Sequence, residues 1–405
     1  MKILPNKTIT DVSGFLASGI HSGIRKSGKK DLAVIYSEKE AIAAAALTTN
    51  KVKAAPVLVT MQNLKSESIQ AIVVNSGVAN ACTGAKGIEN AKQMVGQVAD
   101  CLHISNEKVL VSSTGLIGTQ LPMEKVLPGI EKACSKLSHN GGKDAAEAIL
   151  TTDTFKKTIA VEVELGGKPV TISGIAKGSG MIHPNMATML SFIMTNVKMS
   201  KSLLNQLFRE SVVDSYNMIS VDGDSSTNDM AIILANGMAE NPLLDENSED
   251  ISKFKEALDF VNKELAKMIA KDGEGASKWM EVSLYHAPSK ESARVFARSV
   301  VSSNLVKAAI FGSDANWGRI MCALGYADAD CDLSKVDIFF GNKEDKIQVV
   351  KNGIGLLFDE NKVKEILDQS FVNIIIDLKS GEYQAKAWGC DLTYEYVKIS
   401  GNYRK

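Results

Sequence analysis

The tightest constraint in this chain is a short apolar run entered through an unusually irregular approach. Met189, Leu190, Phe192, Ile193 and Met194 have the length of a strand, and a continuous apolar run flanked by turn residues suits burial on both faces. The segment therefore reads as a central strand around which the rest is organised. Its approach, from Lys177 through Gly178, Ser179, Gly180, His183, Pro184 and Asn185 to Ala187, combines flexible and restricted residues able to hold backbone strain. Thr188 stands at the strand's mouth. A threonine placed there can attack the carbonyl that precedes it, become a new N-terminus, and use its freed α-amine as the base for its own hydroxyl. The plainer reading, a β-branched residue opening a buried strand, suits an isolated Ala-Thr pair better; the surrounding residues decide between them.

The chain has 405 residues, long for one hydrophobic core, so two domains are expected, at 1–280 and 281–405. Lys plus Arg number 46 against 47 Asp plus Glu, a balance that calls for neither nucleic acid nor an anionic membrane. Cysteines 82, 101, 134, 322, 331 and 390 form no CxxC pair and have no histidine at zinc-ligand spacing, which argues against a disulfide framework or a metal site. No apolar stretch reaches the ~20 residues of a membrane span, and the first residues lack a signal core, so the expectation is a cytoplasmic protein.

Residues 31–37, 55–60 and 69–75 read as strands, and 89–102 as a helix with Ala91, Met94, Val95, Val98 and Leu102 on one face. Asn75 to Gly84 is too rich in small residues for a strand or an ordinary helix. Lys108 to Ser112 is a strand running into Ser113-Thr114-Gly115. A hydroxyl beside a backbone N–H at a strand end is what a tetrahedral oxyanion needs, although a bare STG is most often a turn. After a short helix at 144–150, Thr151-Thr152-Asp153-Thr154 favours caps and turns. Ile159, Val161, Val163 and Leu165 alternate with polar residues up to Gly166-Gly167, the turn of a hairpin that delivers Lys177. The glycines beside Lys177 lack the order of a phosphate loop, so the lysine offers a point charge for a carboxylate instead.

Ser200 is a candidate N-cap for a helix carrying Leu203, Leu204, Leu207, Phe208 and Val212. The acidic segment 220–229 fails the calcium-loop pattern, with Thr227 and Ile233 at the sixth and twelfth positions from Asp222, and reads as a polar turn supporting the site. Ile251 to Lys271 is an amphipathic helix with Phe254, Ala257, Leu258, Val261, Leu265 and Met268 inward. It stops at Asp272-Gly273-Glu274-Gly275. Negative charge is unfavourable at that end of a helix, so Glu274 is either a solvated cap or a counter-charge for a cationic ligand. Strand candidates follow at 281–285, 337–340, 373–378 and 382–388.

The segment GSGMIHPNMATML closely resembles the self-cleavage segment of the ornithine acetyltransferase family, also called the bifunctional glutamate N-acetyltransferases, in which the bond before the threonine is cut. Further blocks resemble the family's at 75–84, 113–118, 151–154, 272–276, 313–319 and 388–392, so the likeness runs from Ser18 to Tyr403. The family usually has asparagine where this chain has Val78. The resemblance implies a four-layer α/β/β/α sandwich of the N-terminal-nucleophile-like aminopeptidase and ornithine acetyltransferase type, with a smaller C-terminal α/β domain. It implies cleavage between Ala187 and Thr188 into an α chain (1–187) and a β chain (from 188), held in an α2β2 heterotetramer. Thr188 would be the nucleophile, Thr114 (hydroxyl) and Gly115 (N–H) the oxyanion donors, and Thr151, Lys177, Thr188 and Glu274 the substrate contacts. The implied reaction moves acetyl from N-acetylornithine to glutamate in arginine biosynthesis, with no metal or organic cofactor, although bifunctional members also take acetyl-CoA as donor. Family members commonly end in Asn-Ala-x-Tyr and a terminal Thr or Ser, the asparagine and last residue touching substrate. Ser400 and Lys405 stand there instead, leaving open shifted selectivity, weaker binding or a re-registered tail. Two other readings follow from the same residues: an aminopeptidase or amidase of the same nucleophile type that passes the acyl group to water, and a non-catalytic relative, made conceivable by Val78, Ser400 and Lys405.

Amino-terminal sequencing of the purified protein is expected to find Thr188 beside Met1 or its trimmed successor. A single terminus at the start of the chain would overturn the cleavage.

Overall fold

The computed structural model describes residues 1–183, 189–342 and 344–402. The expected cut at Ala187 and Thr188, and Lys405, lie outside the described residues. The chain runs β1 (Lys2–Ile3), β2 (Phe15–Ile20), β3 (Leu32–Leu47), α1 (Ala55–Asn63), β4 (Ile69–Val78), α2 (Gly84–Leu102), β5 (Val109–Leu116), α3 (Met123–Ser135) and α4 (Gly142–Ala148). It continues with β6 (Lys157–Leu165), β7 (Lys168–Lys177), β8 (Leu190–Thr195), α5 (Lys201–Val213), β9 (Ile219–Ser220), β10 (Met230–Ala235) and α6 (Ile251–Lys271). Then come β11 (Trp279–Ala287), α7 (Lys290–Ser302), α8 (Asn304–Phe311), α9 (Trp317–Gly325), β12 (Asp337–Gly341), β13 (Lys346–Lys351), β14 (Ile354–Gly355), α10 (Glu360–Leu367), β15 (Phe371–Asp377), β16 (Tyr383–Cys390) and α11 (Tyr394–Gly401).

The chain forms two compact units: Met1–Gly178 with Asn185–Ser215 and Ser225–Leu265, and Ser179–Pro184 with Tyr216–Asp224 and Ala266–Lys405. The division drawn from sequence length, between 280 and 281, falls inside β11; the observed one comes earlier, within α6, and the second unit also takes two short excursions from the first part of the chain.

In the first unit one strand serves two sheets. The first part of β3 pairs with β2 and β4, its register shifts between Tyr36 and Ala41, and its last residues, Ile42 to Leu47, pair with β10. One sheet portion is therefore β2, β3, β4 and β5, and the other continues from β3 through β10, β8, β7 and β6 to β1. Strand periodicity sends alternate residues to opposite faces. Ala33, Ile35, Ile72, Val74 and Leu110 of the first portion share a core with Leu190, Phe192, Met194, Ile232 and Leu234 of the second. The intervening residues Leu32, Val34, Val73 and Val111 face α1, α2 and α3 through Val59, Met94, Val98, Val126 and Ile130. On the far side a Cβ at Gly174 of β7 would come 2.4 Å from Ile193 and 2.7 Å from Leu265, so α6 lies close on that face. The layers are helix, sheet, sheet, helix, the expected four-layer sandwich.

β8 is central, antiparallel to β7 and parallel to β10, and every one of its residues is buried. The Gly166-Gly167 turn has φ of +55° and +74°, a pair that suits a tight hairpin. Ser200 caps α5 by accepting from Leu203 N–H, and α6 spans the expected residues.

Several local expectations change. Residues 55–60 form a helix, since a short apolar run is compatible with either element and Pro56 in the first turn needs no N–H partner. β4 continues through the small residues to Val78, and α2 begins at Gly84. β10, all of whose residues are buried, follows directly from the supposed polar turn. In α6 Ile269 rather than Met268 is fully buried.

The second unit carries a seven-stranded sheet in the order β14-β13-β12-β15-β11-β16-β9. Helix α7 buries Ala293, Phe296, Ala297, Val300 and Val301, and Val301 lies close above Gly389 of β16. No helix among the described residues is long and apolar enough to cross a membrane.

Phe192 is fully buried in the core shared by the two sheet portions. Phe192→Ala is expected to cost about 3–5 kcal/mol in a denaturant titration.

Candidate active site

β4 and β5 run parallel and end together, placing Ser76 opposite Thr114 and Gly77 opposite Gly115. Gly115 has φ +133° and Gly77 φ +100°, and a Cβ on Gly115 would sit 2.2 Å from the Gly77 carbonyl carbon. Only glycine on both strands allows this approach, which leaves Thr114 and Gly115 half-buried at the rim. The turn is braced from behind. Asn75 accepts from the Ser113 hydroxyl (2.6 Å) and donates to the Val78 carbonyl (2.9 Å). Asn228 Nδ2 donates to the carbonyls of Ala79 (2.6 Å) and Ser113 (2.8 Å). The Val78 side chain packs in the outer core.

Arg25 connects this turn to the next candidate. Its Cγ lies 2.8 Å from where a Cβ on Gly77 would be, and its guanidinium donates to the carbonyls of Leu150 (2.9 Å) and Thr151 (3.2 Å). Thr151 is half-buried and its N–H donates to Asp153 Oδ2 (3.0 Å). Asp153 Oδ1 accepts from Lys157 Nζ (2.6 Å) and from the N–H of Gly178 (2.7 Å), the residue after Lys177. Lys177 is itself buried, with 6% exposure, unlike an ordinary surface lysine. Burial would raise the Asp153 carboxyl, but the fields of Lys177 and Lys157, the Lys157 hydrogen bond and the Gly178 N–H outweigh it and bring it down to about 2.

At the same end of the sheet Lys177 pairs with Leu190, and Leu190 with Met230. Asp229, just before Met230, is fully buried and accepts from the Met189 N–H. Burial pushes its carboxyl well above the usual range, and that hydrogen bond and Lys177 only partly oppose this. Its Oδ2 has no hydrogen-bond partner among the described residues. Asp229 thus holds a carboxyl raised by burial against the main chain of Met189, the residue before β8.

The second unit has its own polar cluster. A Cβ on Gly180 would meet the Glu274 carboxylate at 2.4–2.6 Å, so a side chain there would displace the carboxylate, and Glu274 N–H donates to the Ser179 carbonyl (2.9 Å). Asp222 accepts from the N–H groups of Met181 (2.6 Å) and Ile182 (2.8 Å) and from the Tyr396 hydroxyl (3.2 Å). Ser400 is exposed and hydrogen-bonds Tyr396, whose phenol is pushed up by burial and by the charges of Asp222 and Glu274. His183 contacts Ser220 Oγ (3.1 Å) and Arg298 (3.4 Å); burial, then Arg298, lower its pKa and keep it neutral.

Thr114, Gly115, Thr151 and Lys177 thus join one run of contacts in the first unit, while Glu274 and Ser400 share a cluster in the second. Sequence reasoning passed over Arg25, Asp153 and Lys157 as individual site residues, while Asn228 and Asp229 lie in the turn it read as supporting the site. Asp153 and Asp229 carried a weak signal, each being an acid at the edge of a polar turn just before a strand. Arg25 carried none. Among the described residues no group of three or more His, Cys, Asp or Glu could hold a metal ion.

A four-layer α/β/β/α sandwich with hydroxyl, glycine amide and buried lysine gathered at its strand ends defines an enzyme of the sandwich type. The chain belongs to the ArgJ family, whose model matches residues 16–405. It is 58% identical over 404 residues to the arginine biosynthesis bifunctional protein ArgJ 1 of Clostridium acetobutylicum, covering 100% of this chain and 99% of that one. It is 55% identical to the arginine biosynthesis bifunctional protein ArgJ of Caldanaerobacter subterraneus subsp. tengcongensis, covering 100% of both. The crystal structure of ornithine acetyltransferase complexed with ornithine from Mycobacterium tuberculosis is 38% identical, with a TM-score of 0.42, covering 45% of this chain and 98% of that one.

Because Asp229 keeps a proton in the folded state that the unfolded chain releases above about pH 4, its contribution is complete in acid and is lost as pH rises toward its folded pKa. Asp229→Asn, neutral at every pH, is expected to melt above the wild type at pH 7, with the difference shrinking toward pH 4 in thermal denaturation.

Proposed function

We propose that this protein is a self-cleaving acyltransferase that moves an acetyl group from N-acetylornithine to glutamate in arginine biosynthesis. The reading is supported by the family match along residues 16–405 and by relatives that are bifunctional proteins of arginine biosynthesis. The observation that carries it is local: Thr114, Gly115, Thr151 and Lys177 join one run of contacts at the strand ends, and Lys177 pairs with Leu190, where β8 begins two residues after position 188.

Thr188 Oγ, relieved of its proton by its own α-amine, attacks the acetyl carbonyl while the Thr114 hydroxyl and the Gly115 N–H stabilise the developing O⁻. Ornithine leaves, and the amine of glutamate takes the acetyl group from the threonine ester. An ordinary α-amine titrates at about 7.7–8.0, so an appreciable fraction is neutral and able to act as base near pH 7. Lys177 supplies a positive charge for a substrate carboxylate, Thr151 a hydroxyl, and Glu274 a counter-charge to the substrate ammonium. Ser400 and Lys405 stand where family members carry the substrate contacts of the tail. The cycle runs without metal or organic cofactor, and the cleaved α and β chains remain together as an α2β2 heterotetramer in the cytoplasm.

Thr188→Ala is expected to leave a single full-length band on a denaturing gel and no acetyl transfer; transfer at near wild-type rate would overturn the nucleophile. In Thr114→Ala, once cleaved, the acyl-transfer rate is expected to fall about 10²- to 10³-fold. Release of acetate in place of acetylglutamate would favour the amidase reading.

A further inference from the structure

Asp153 has more to do than close a turn. Its side chain and that of Lys157 are both 0% exposed, and the two lie 2.6 Å apart. The same carboxylate takes the Thr151 N–H on one oxygen and the Gly178 N–H on the other, and stands in the field of Lys177. It therefore holds the main chain of Thr151 and of Gly178, the residue after Lys177, two segments that carry the substrate contacts read above. β6 and β7 bring the partners together, since Lys157 pairs with Ala176, the residue before Lys177.

A structural ion pair would need only Lys157, which already neutralises the carboxylate and also lies 4.8 Å from the centre of the Phe155 ring. The two main-chain N–H groups that the same carboxylate accepts, one on each of two segments, are more than a charge pair requires. A planar acceptor anchored on both main-chain segments fixes the distance between them, so the Thr151 hydroxyl and the Lys177 ammonium can meet one small anion without each being ordered on binding.

We propose that Asp153 is a positioning residue for substrate binding, setting Thr151 and Lys177 so that both engage the carboxylate of the same amino-acid substrate. It is sealed from solvent and acts through those two residues. The proposal rests on the reading of Thr151 and Lys177 as substrate contacts.

The test compares Asp153→Asn, the double variant Asp153→Asn with Lys157→Met, and Lys177→Met, each in the full-length protein. The double variant removes both members of the buried pair at similar volume, so that neither is left charged without the other. The expected result is two-chain cleavage in the double variant, with KM for N-acetylornithine raised about 10- to 100-fold and kcat within a few fold, the loss of a charge-assisted contact. A double variant that folds and cleaves with KM at the wild-type value would show that Asp153 is structural only and overturn the proposal. If the double variant does not fold, Asp153→Asn decides by the same KM comparison, an unchanged value overturning it. Lys177→Met separates the two levels: an unchanged KM there removes the substrate-contact reading and this proposal with it, whereas a raised KM there with an unchanged one in the Asp153 variants removes this proposal alone.

Discussion

The structure depends on β3 being shared. Its register shift between Tyr36 and Ala41 lets one continuous strand leave one sheet portion and enter the other, and this gives the two portions a common inner core. Without that turn the apolar inner faces of β4, β8 and β10 would have nothing to cover them, and two faces rich in Ile, Val and Phe cannot stay in water. The site is a consequence. β4 and β5 end side by side at the glycine pair, while β7, β8 and β10 end side by side at Lys177, Leu190 and Met230. Strand ends are where side chains escape the ladder, so polar groups gather there without interrupting it.

Two aspartates near Lys177 show how burial and hydrogen bonding divide one chemistry into two states. Both are deeply buried, and burial raises both. Asp153 receives two backbone N–H groups and an ammonium, with Lys177 acting on it as well, and ends as a carboxylate. Asp229 receives one N–H and the influence of Lys177, which do not offset burial, and its carboxyl stays well above the usual range. The difference lies in the number of donors that meet the oxygens rather than in depth below the surface.

Glycines mark the close approaches in both units. Gly115 lets β5 approach Gly77 of β4 at the rim, and Gly180 makes room for the Glu274 carboxylate. Gly275, with φ +66° and a Cβ position 2.5 Å from the Tyr396 nitrogen, lets the chain turn beneath α11. At Gly115 and Gly275 any side chain would meet the main chain of the facing segment.

What the sequence determined by itself is whatever is local or strictly periodic. The alternation in β6, the Gly166-Gly167 turn, the Ser200 cap, the length of α6 and the buried run of β8 follow from neighbours within a few residues, whereas Thr114, Lys177 and Glu274 were singled out by the resemblance of short blocks to those of a family. Tertiary structure decided the rest. The apolar residues 55–60 became helical because the outer face of a sheet awaited them, and β10 emerged because β8 and β3 offered it partners on both sides. Arg25 and Thr151 meet across 126 positions, and Asp153 and Gly178 across 25, and no period or propensity links residues so far apart. Their pairing exists only once the sheets have closed and water has left, because it is the loss of water that makes one carboxylate between two lysines worth holding.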